Sequence, residues 1–304
     1  MVAPTAPGTV GTPLRPWREV LAAPWPMART LPIVAAALAF IWIFADPIQG
    51  LTRAWWDDPD AGHGLLLFPV SLWLAWQAGL RQDTRSNVWL GSAIMVGAVL
   101  FRALGGLAAE FFTQRFSIWV ALVGVVVFLW GFRQVLHWWL PITLLALAIP
   151  LPATITNSLA VPLQFQASQL GTALIQWRDI PVQLNGNVIS IPGQRLFVAE
   201  ACSGLRSLTA LISLGVLIGG MWLSTLPGRA MILLLAIPVA IAVNAVRIFL
   251  TAFLMYFVSP EMGSGFMHKT EGWALFVLAL CLLGLLAMMV RWVERRIMTW
   301  RARA

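Results

Sequence analysis

The chain has 304 residues, a formal net charge of +8, 60% hydrophobic residues and only 11% charged ones. A soluble domain has no use for that much apolar surface, and the class this leaves is an integral membrane protein. The basic excess is nearly all arginine, with Lys269 the one lysine, and Tyr256 is the one tyrosine. That pattern reads as membrane topology and excludes an aromatic surface for stacking nucleic-acid bases.

Residues 1–30, rich in Pro, Ala and Thr, read as a disordered cytoplasmic tail, with no cleavage site of the signal-peptide kind before Asp46. Eight apolar runs of near-membrane length follow, at 31–45, 64–80, 88–107, 116–132, 136–151, 203–223, 230–257 and 272–290. With the N-terminus inside, twelve basic residues fall on cytoplasmic segments, among them Arg81, Arg133, Arg229 and Arg291. Five fall outside: Arg53, Arg115, Arg178, Arg195 and Lys269. This positive-inside bias places both termini in the cytoplasm, including a basic tail at 294–304. The acidic loop WWDDPDAGH and the long segment 152–202 then face out. The expected fold class is an all-α polytopic membrane protein of about eight transmembrane helices, with its membrane domain over 31–293.

The outer segment begins with apolar residues at helical spacing over Ala153–Trp177 (Leu159, Leu163, Phe165, Leu170, Leu174). The spacing predicts an amphipathic helix on the membrane surface. Asn185-Gly186 and Pro192-Gly193 then punctuate short apolar runs, which predicts a small β-hairpin leading into Cys202.

Cys202 lies in AEACSGLRSLTA, where a polar segment turns into an apolar run. A thiol in the first turn of a helix meets unpaired backbone N–H groups and the positive end of the helix dipole, both of which favour the thiolate. Arg206, four residues on, lies on the same face and adds positive charge. The bland reading is a small core residue. Cys281 lies mid-run, about half a membrane away, so no disulfide is expected.

Ionisable groups inside spans are costly and point to function. Arg247 and Asn244 sit on neighbouring turns of the seventh run, with Arg247 near its outer end and Asn244 placed to orient it. His268 opens the last span on the same side. Cys202, Arg247 and His268 together supply a nucleophile, an oxyanion donor and a general acid/base, the parts needed for acyl transfer. A metal centre is not expected, because His63, His137 and His268 are far apart in sequence. Gly215 and Gly219 on the Cys202 helix read either as packing between the protein's own helices or as a seat for a substrate helix.

The segments AEACSGLR and NAVR, the histidine at the final span, HGLLLFPVSLWLAW after the acidic loop, and GNVISIPGQRLFVAEACSG resemble the exosortase/archaeosortase family over roughly residues 30–290. The resemblance implies a cysteine protease or transpeptidase with Cys202, Arg247 and His268 as catalytic residues. It implies no cofactor. Arg206 and Asn244 would support them, while His63 and the acidic patch 57–60 read either as substrate contacts or as loop solvation. The implied partners are exported proteins ending in a sorting motif (often Pro-Glu-Pro), a transmembrane helix and a basic tail. A lipid or other amine acceptor, membrane lipids and an exopolysaccharide-producing bacterial setting complete the picture, with no nucleic acid. The rival readings are a transporter or export component, in which Arg247 and Asn244 hold an anion, and a non-catalytic scaffold for polysaccharide secretion.

Overall fold

The computed structural model describes residues 14–15, 27–58, 60–197, 204–263 and 265–301. Most of the expected N-terminal tail and Cys202 lie outside the described residues, as do the side chains of Arg206 and His268. The protein is a helical polytopic membrane protein. Its contacts divide it into two units, 1–151 and 152–304.

In the first unit, β1 (Leu14–Arg15) pairs antiparallel with β2 (Leu80–Arg81), so part of the expected tail is a strand. Helix α1 (Met27–Ile43) bends by 65° at Phe44 into α2 (Ala45–Asp57). The bend has a chemical basis: α2 buries one stripe, Pro47, Leu51 and Trp55, at i+4 spacing and leaves charged residues on the other face. Then come α3 (Gly64–Ala78), α4 (Val88–Leu107), α5 (Phe111–Trp130), α6 (Phe132–His137) and α7 (Trp139–Leu147). The expected fifth span at 136–151 is therefore two short helices.

The α4–α5 pair packs through small residues. Gly91, Ala98 and Gly105 recur every seven residues along the buried face of α4, opposite Ser117, Ala121 and Gly124 of α5. A Cβ at Gly91 would lie 2.5 Å from the Phe128 backbone, so the two helices touch at close range. Asn87 and Glu110 cap the two helices by accepting from Leu90 N and from Phe112 and Thr113 N.

The second unit holds α8 (Ala153–Trp177), a three-stranded antiparallel sheet of β3 (Gln183–Asn185), β4 (Val188–Ile191) and β5 (Gln194–Phe197), then α9 (Gly204–Trp222), α10 (Leu226–Phe257), a 3-10 turn (Pro260–Gly263) and α11 (Gly265–Arg301). The expected hairpin thus gains a third strand. Ile189, Ile191 and Leu196 on one face of the sheet pack with Ile175, Ile248, Ala252 and Met255.

Helix α8 has the expected bounds but lies lengthwise against α10 instead of apart on a surface. Leu163 joins the cluster of Val239 and Ala240, Gly171 abuts Ala245 and Ile248, and Ile175 packs with Ala252 and Met255. The two helices therefore run side by side in the same direction. The face that packs is Ala160, Gln164, Ala167, Ser168, Gly171, Thr172 and Ile175, while Leu159, Phe165 and Leu170 point outward. Small and polar residues pack inward and large apolar ones are exposed, the reverse of a soluble amphipathic helix.

Among the described residues, four helical segments are long and apolar enough to cross a membrane: Val88–Leu107, Phe111–Trp130, Leu226–Phe257 and Ala274–Trp300. The bent α1–α2 pair raises this to five, and Gly64–Ala78 and Thr209–Trp222 are shorter apolar helices. That is fewer than the eight spans expected, because several runs fold as short or broken helices.

One buried carboxylate ties the second unit together at the start of α10. Glu294 of α11 accepts from Ser224 N at 3.2 Å, from Thr225 N at 3.1 Å and from the Thr225 hydroxyl, while Thr225 Oγ1 caps Gly228 N at 3.1 Å. Any side chain at Gly228 would collide with Glu294. Replacing Glu294 with Ala strands two part-buried N–H donors, each costing up to about 1–3 kcal/mol. Glu294→Ala is therefore expected to lower the unfolding midpoint of the purified protein in detergent by several degrees, with Glu294→Gln in between, read by fluorescence-detected thermal unfolding.

Candidate active site

Arg247 and Asn244 project from α10 into a small cleft lined also by Leu211 of α9, Ala240 and Val243 of α10, and Leu275, Phe276 and Ala279 of α11. Asn244 is buried and Arg247 half-buried. Thr251, fully buried, lies one turn beyond Arg247 on the same face, so α10 carries a polar ladder of Asn244, Arg247 and Thr251 through an apolar helix. Sequence reasoning named the first two and missed Thr251. Its 3–4–7 spacing from them was the available signal.

Helix register shows what lies near the arginine. On α9, Gly219 abuts Ile232 and Arg229, Gly215 abuts Leu233, and Leu211 shares the cleft with Ala240 and Val243. Helix α9 is thus antiparallel to α10, and continuing this register brings its start at Gly204 level with Arg247. On α11, Glu294 meets Thr225 at one end and Ala279 and Leu275 line the cleft at the other. So α11 is antiparallel to α10 as well, with Leu275 level with Asn244. Gly215 and Gly219 are occupied in packing between the protein's own helices, which resolves that pair of readings.

Cys202 lies outside the described residues, two positions before α9. Arg206 falls in the first turn of α9, and His268 in the first turn of α11, seven residues before Leu275. In that register Arg247 lies level with residue 272, so at 1.5 Å per residue His268 is roughly 6 Å farther along the bundle than Arg247. The structure thus brings Arg247 and Asn244 together in one cleft and sets the backbone of Arg206 and His268 toward the same end of the bundle.

His63 belongs to the first unit and has a different setting. Its Nδ1 lies 3.1 Å from Asp60 O and its Nε2 lies 3.2 Å from Leu147 O. Beside it, Trp55 Nε1 donates to Ala148 O at 2.7 Å, with its ring packed on Gly64. Trp55 thereby satisfies a carbonyl at the C-terminal end of α7, and His63 sets its Nε2 against the one before it. The mirror arrangement caps α3: Gln134 and Trp138 donate to Gly79 O, and His137 Nε2 donates to Ala78 O at 2.9 Å. His63 is engaged as a cap.

A family model described as transmembrane exosortase matches residues 55–285. Neither a curated protein nor a solved structure matches the chain.

Burial holds the His63 imidazole below its ordinary value, against the opposing pull of the Leu147 and Asp60 carbonyls and the Asp58 and Asp60 carboxylates. The folded state then binds fewer protons than the unfolded one as the pH falls through the ordinary histidine range near 6.5, so stability declines there. A thermal-unfolding series from about pH 8 to about pH 5 is expected to show this decline, and His63→Gln is expected to flatten it.

Proposed function

Since the chain belongs to the transmembrane exosortase family, we propose that it is a membrane cysteine protease or transpeptidase acting on exported proteins. Its substrates end in a sorting motif, a transmembrane helix and a basic tail. The enzyme sits in a bacterial inner membrane with its membrane domain over 31–293, both terminal tails (1–30 and 294–304) in the cytoplasm and the site facing the periplasm. It serves an exopolysaccharide-producing system.

The observation that supports this most is the place of Arg247. A guanidinium with a buried amide beside it lines a cleft between α9 and α11, the helices that follow Cys202 and contain His268. An arginine at membrane depth is expensive unless it serves a charge. In the proposed reaction His268 takes the thiol proton, and the Cys202 thiolate attacks the scissile carbonyl. Arg247 holds the oxyanion, with Asn244 fixing its side chain and Arg206 adding positive charge near the thiolate. As the peptide C–N bond breaks, His268 returns the proton to the leaving amine, which stays on the substrate's membrane helix. Water or the amine of a lipid or other acceptor then attacks the thioester and passes its proton to His268. Anchoring of the substrate helix in the same bilayer makes the attack effectively intramolecular.

The test is co-expression with a tagged substrate bearing a Pro-Glu-Pro motif, a membrane helix and a basic tail. Tail release is followed on gels and the product mass by spectrometry. Cys202→Ala at equal membrane abundance is expected to abolish release, and processing that survives it would discard the nucleophile. Arg247→Lys keeps the charge but loses the planar fork, and is expected to slow release by roughly a hundredfold. Asn244→Ala is expected to slow it less.

A further inference from the structure

Helix α8 has 25 residues, about 37 Å at 1.5 Å per residue, which is enough to cross a bilayer. It lies lengthwise beside α10, which is apolar enough to span one. The register of the pair sets the depth of every position on α8. Gly171 abuts Ala245 and Ile248, and Leu163 packs with Val239 and Ala240. Gln166, Gln169 and Gln176 therefore stand level with about Ala242, Ala245 and Ala252 of α10, inside its run of apolar residues. All three glutamines are exposed. In a bilayer that α10 spans, their amides face hydrocarbon, which offers no hydrogen bond, unless another helix covers them.

The glutamines belong to a longer stripe. Leu159, Pro162, Gln166, Gln169, Ala173 and Gln176 follow one another at spacings of three and four, and each of the six is exposed. The stripe lies opposite Ala160, Gln164, Ala167, Gly171 and Ile175, the face that packs on α10. Alternating threes and fours is the spacing along which two helices pair at a crossing angle of about 20°.

The chemistry of the stripe identifies what covers it. The partner must present donors and acceptors at the depth of each glutamine. An apolar helix presents none. A second copy of this chain presents all of them, because an amide both donates and accepts. Copies inserted in one bilayer share one orientation, so a twofold pair sets α8 parallel to its counterpart and brings each glutamine to the same residue of the other copy. Ala173 allows the two backbones to approach between Gln169 and Gln176, and the stripe carries no charge that would repel its own copy. We infer that the protein pairs with a second copy of itself along this face of α8, with Gln166, Gln169 and Gln176 hydrogen-bonded across the twofold axis. The Arg247 cleft is lined by α9, α10 and α11, so the pairing is independent of the reaction proposed for it.

The experiment maps disulfides along α8 in the full chain. Leu159→Cys, Gln166→Cys, Gln169→Cys, Ala173→Cys and Gln176→Cys, each in a Cys202→Ser, Cys281→Ser background, are oxidised in isolated membranes. Val161→Cys, exposed but off the stripe, is the control. Every stripe position is expected to form a product of twice the chain mass, at least about fivefold faster than the control. The double variant Gln166→Leu, Gln169→Leu leaves the α10 face of the helix intact. It is expected to raise the dimer dissociation constant about tenfold, counted by photobleaching of single labelled chains in dilute lipid bilayers. Cooperative thermal unfolding of the same variant shows that the chain still folds. Equal rates at stripe and control positions, a wild-type chain that counts as a monomer, or a dimer indifferent to the double variant would overturn the proposal. So would a product of any other mass, which gives the face to a different protein.

Discussion

Hydrocarbon offers a backbone no hydrogen-bond partner, so each helix end buried in a membrane protein must find one within the chain. This constraint explains how α3 and α7, of 15 and nine residues, persist at less than the length a bilayer crossing asks for. Their last carbonyls are met by side chains from elsewhere in the unit. Trp55 and His63 serve Ala148 and Leu147 at one helix, and Gln134, His137 and Trp138 serve Gly79 and Ala78 at the other. Trp119 likewise donates to a carbonyl of α7, that of Ile142 near its start. Composition alone reads tryptophan as an interfacial anchor. Here several indoles are instead donors to buried carbonyls, and the same need occupies two of the three histidines.

The same solvent reverses the meaning of an apolar stripe. In water, Leu159, Phe165 and Leu170 would mark the buried side of α8. In this protein they are exposed, and the helix packs on α10 through Ala167, Ser168 and Gly171. Where lipid is as apolar as leucine, burying leucine gains little, and close backbone approach decides which face packs. The α4–α5 pair obeys the same rule through Gly91, Ala98 and Gly105.

This explains which parts of the architecture could be read before folding. Helical class, the long spans at α4, α5, α10 and α11, the bounds of α8 and the hairpin signal at Pro192-Gly193 were all legible, because each depends on local composition or turn chemistry. The bend at Phe44, the packing face of α8 and the insertion of Glu294 at the start of α10 were not. Each depends on a partner distant in sequence: Glu294, for example, reads as a lone acid in a basic tail until Ser224 and Thr225 meet it. At the site, Asn244 and Arg247 stood out because polar groups are rare within spans, whereas Thr251 looked like an ordinary tolerated hydroxyl.

The placement of charge along the second unit is set by helix direction. Because α9 and α11 are both antiparallel to α10, their N-termini gather at the end of the bundle where Arg247 lies, and the N-terminus of α10 sits at the other end. Helix N-termini favour negative charge, most strongly where solvent screening is weak. The far end meets that demand within the chain, since Glu294 offers its carboxylate to the first N–H groups of the α10 entry. At the Arg247 end, two helix N-termini and a guanidinium converge, and the chain continues from α9 back toward Cys202. One end of the bundle is thus neutralised by a fixed acid. At the other, Arg247 stands near the first turns of α9 and α11, where the proposed reaction would place an oxyanion.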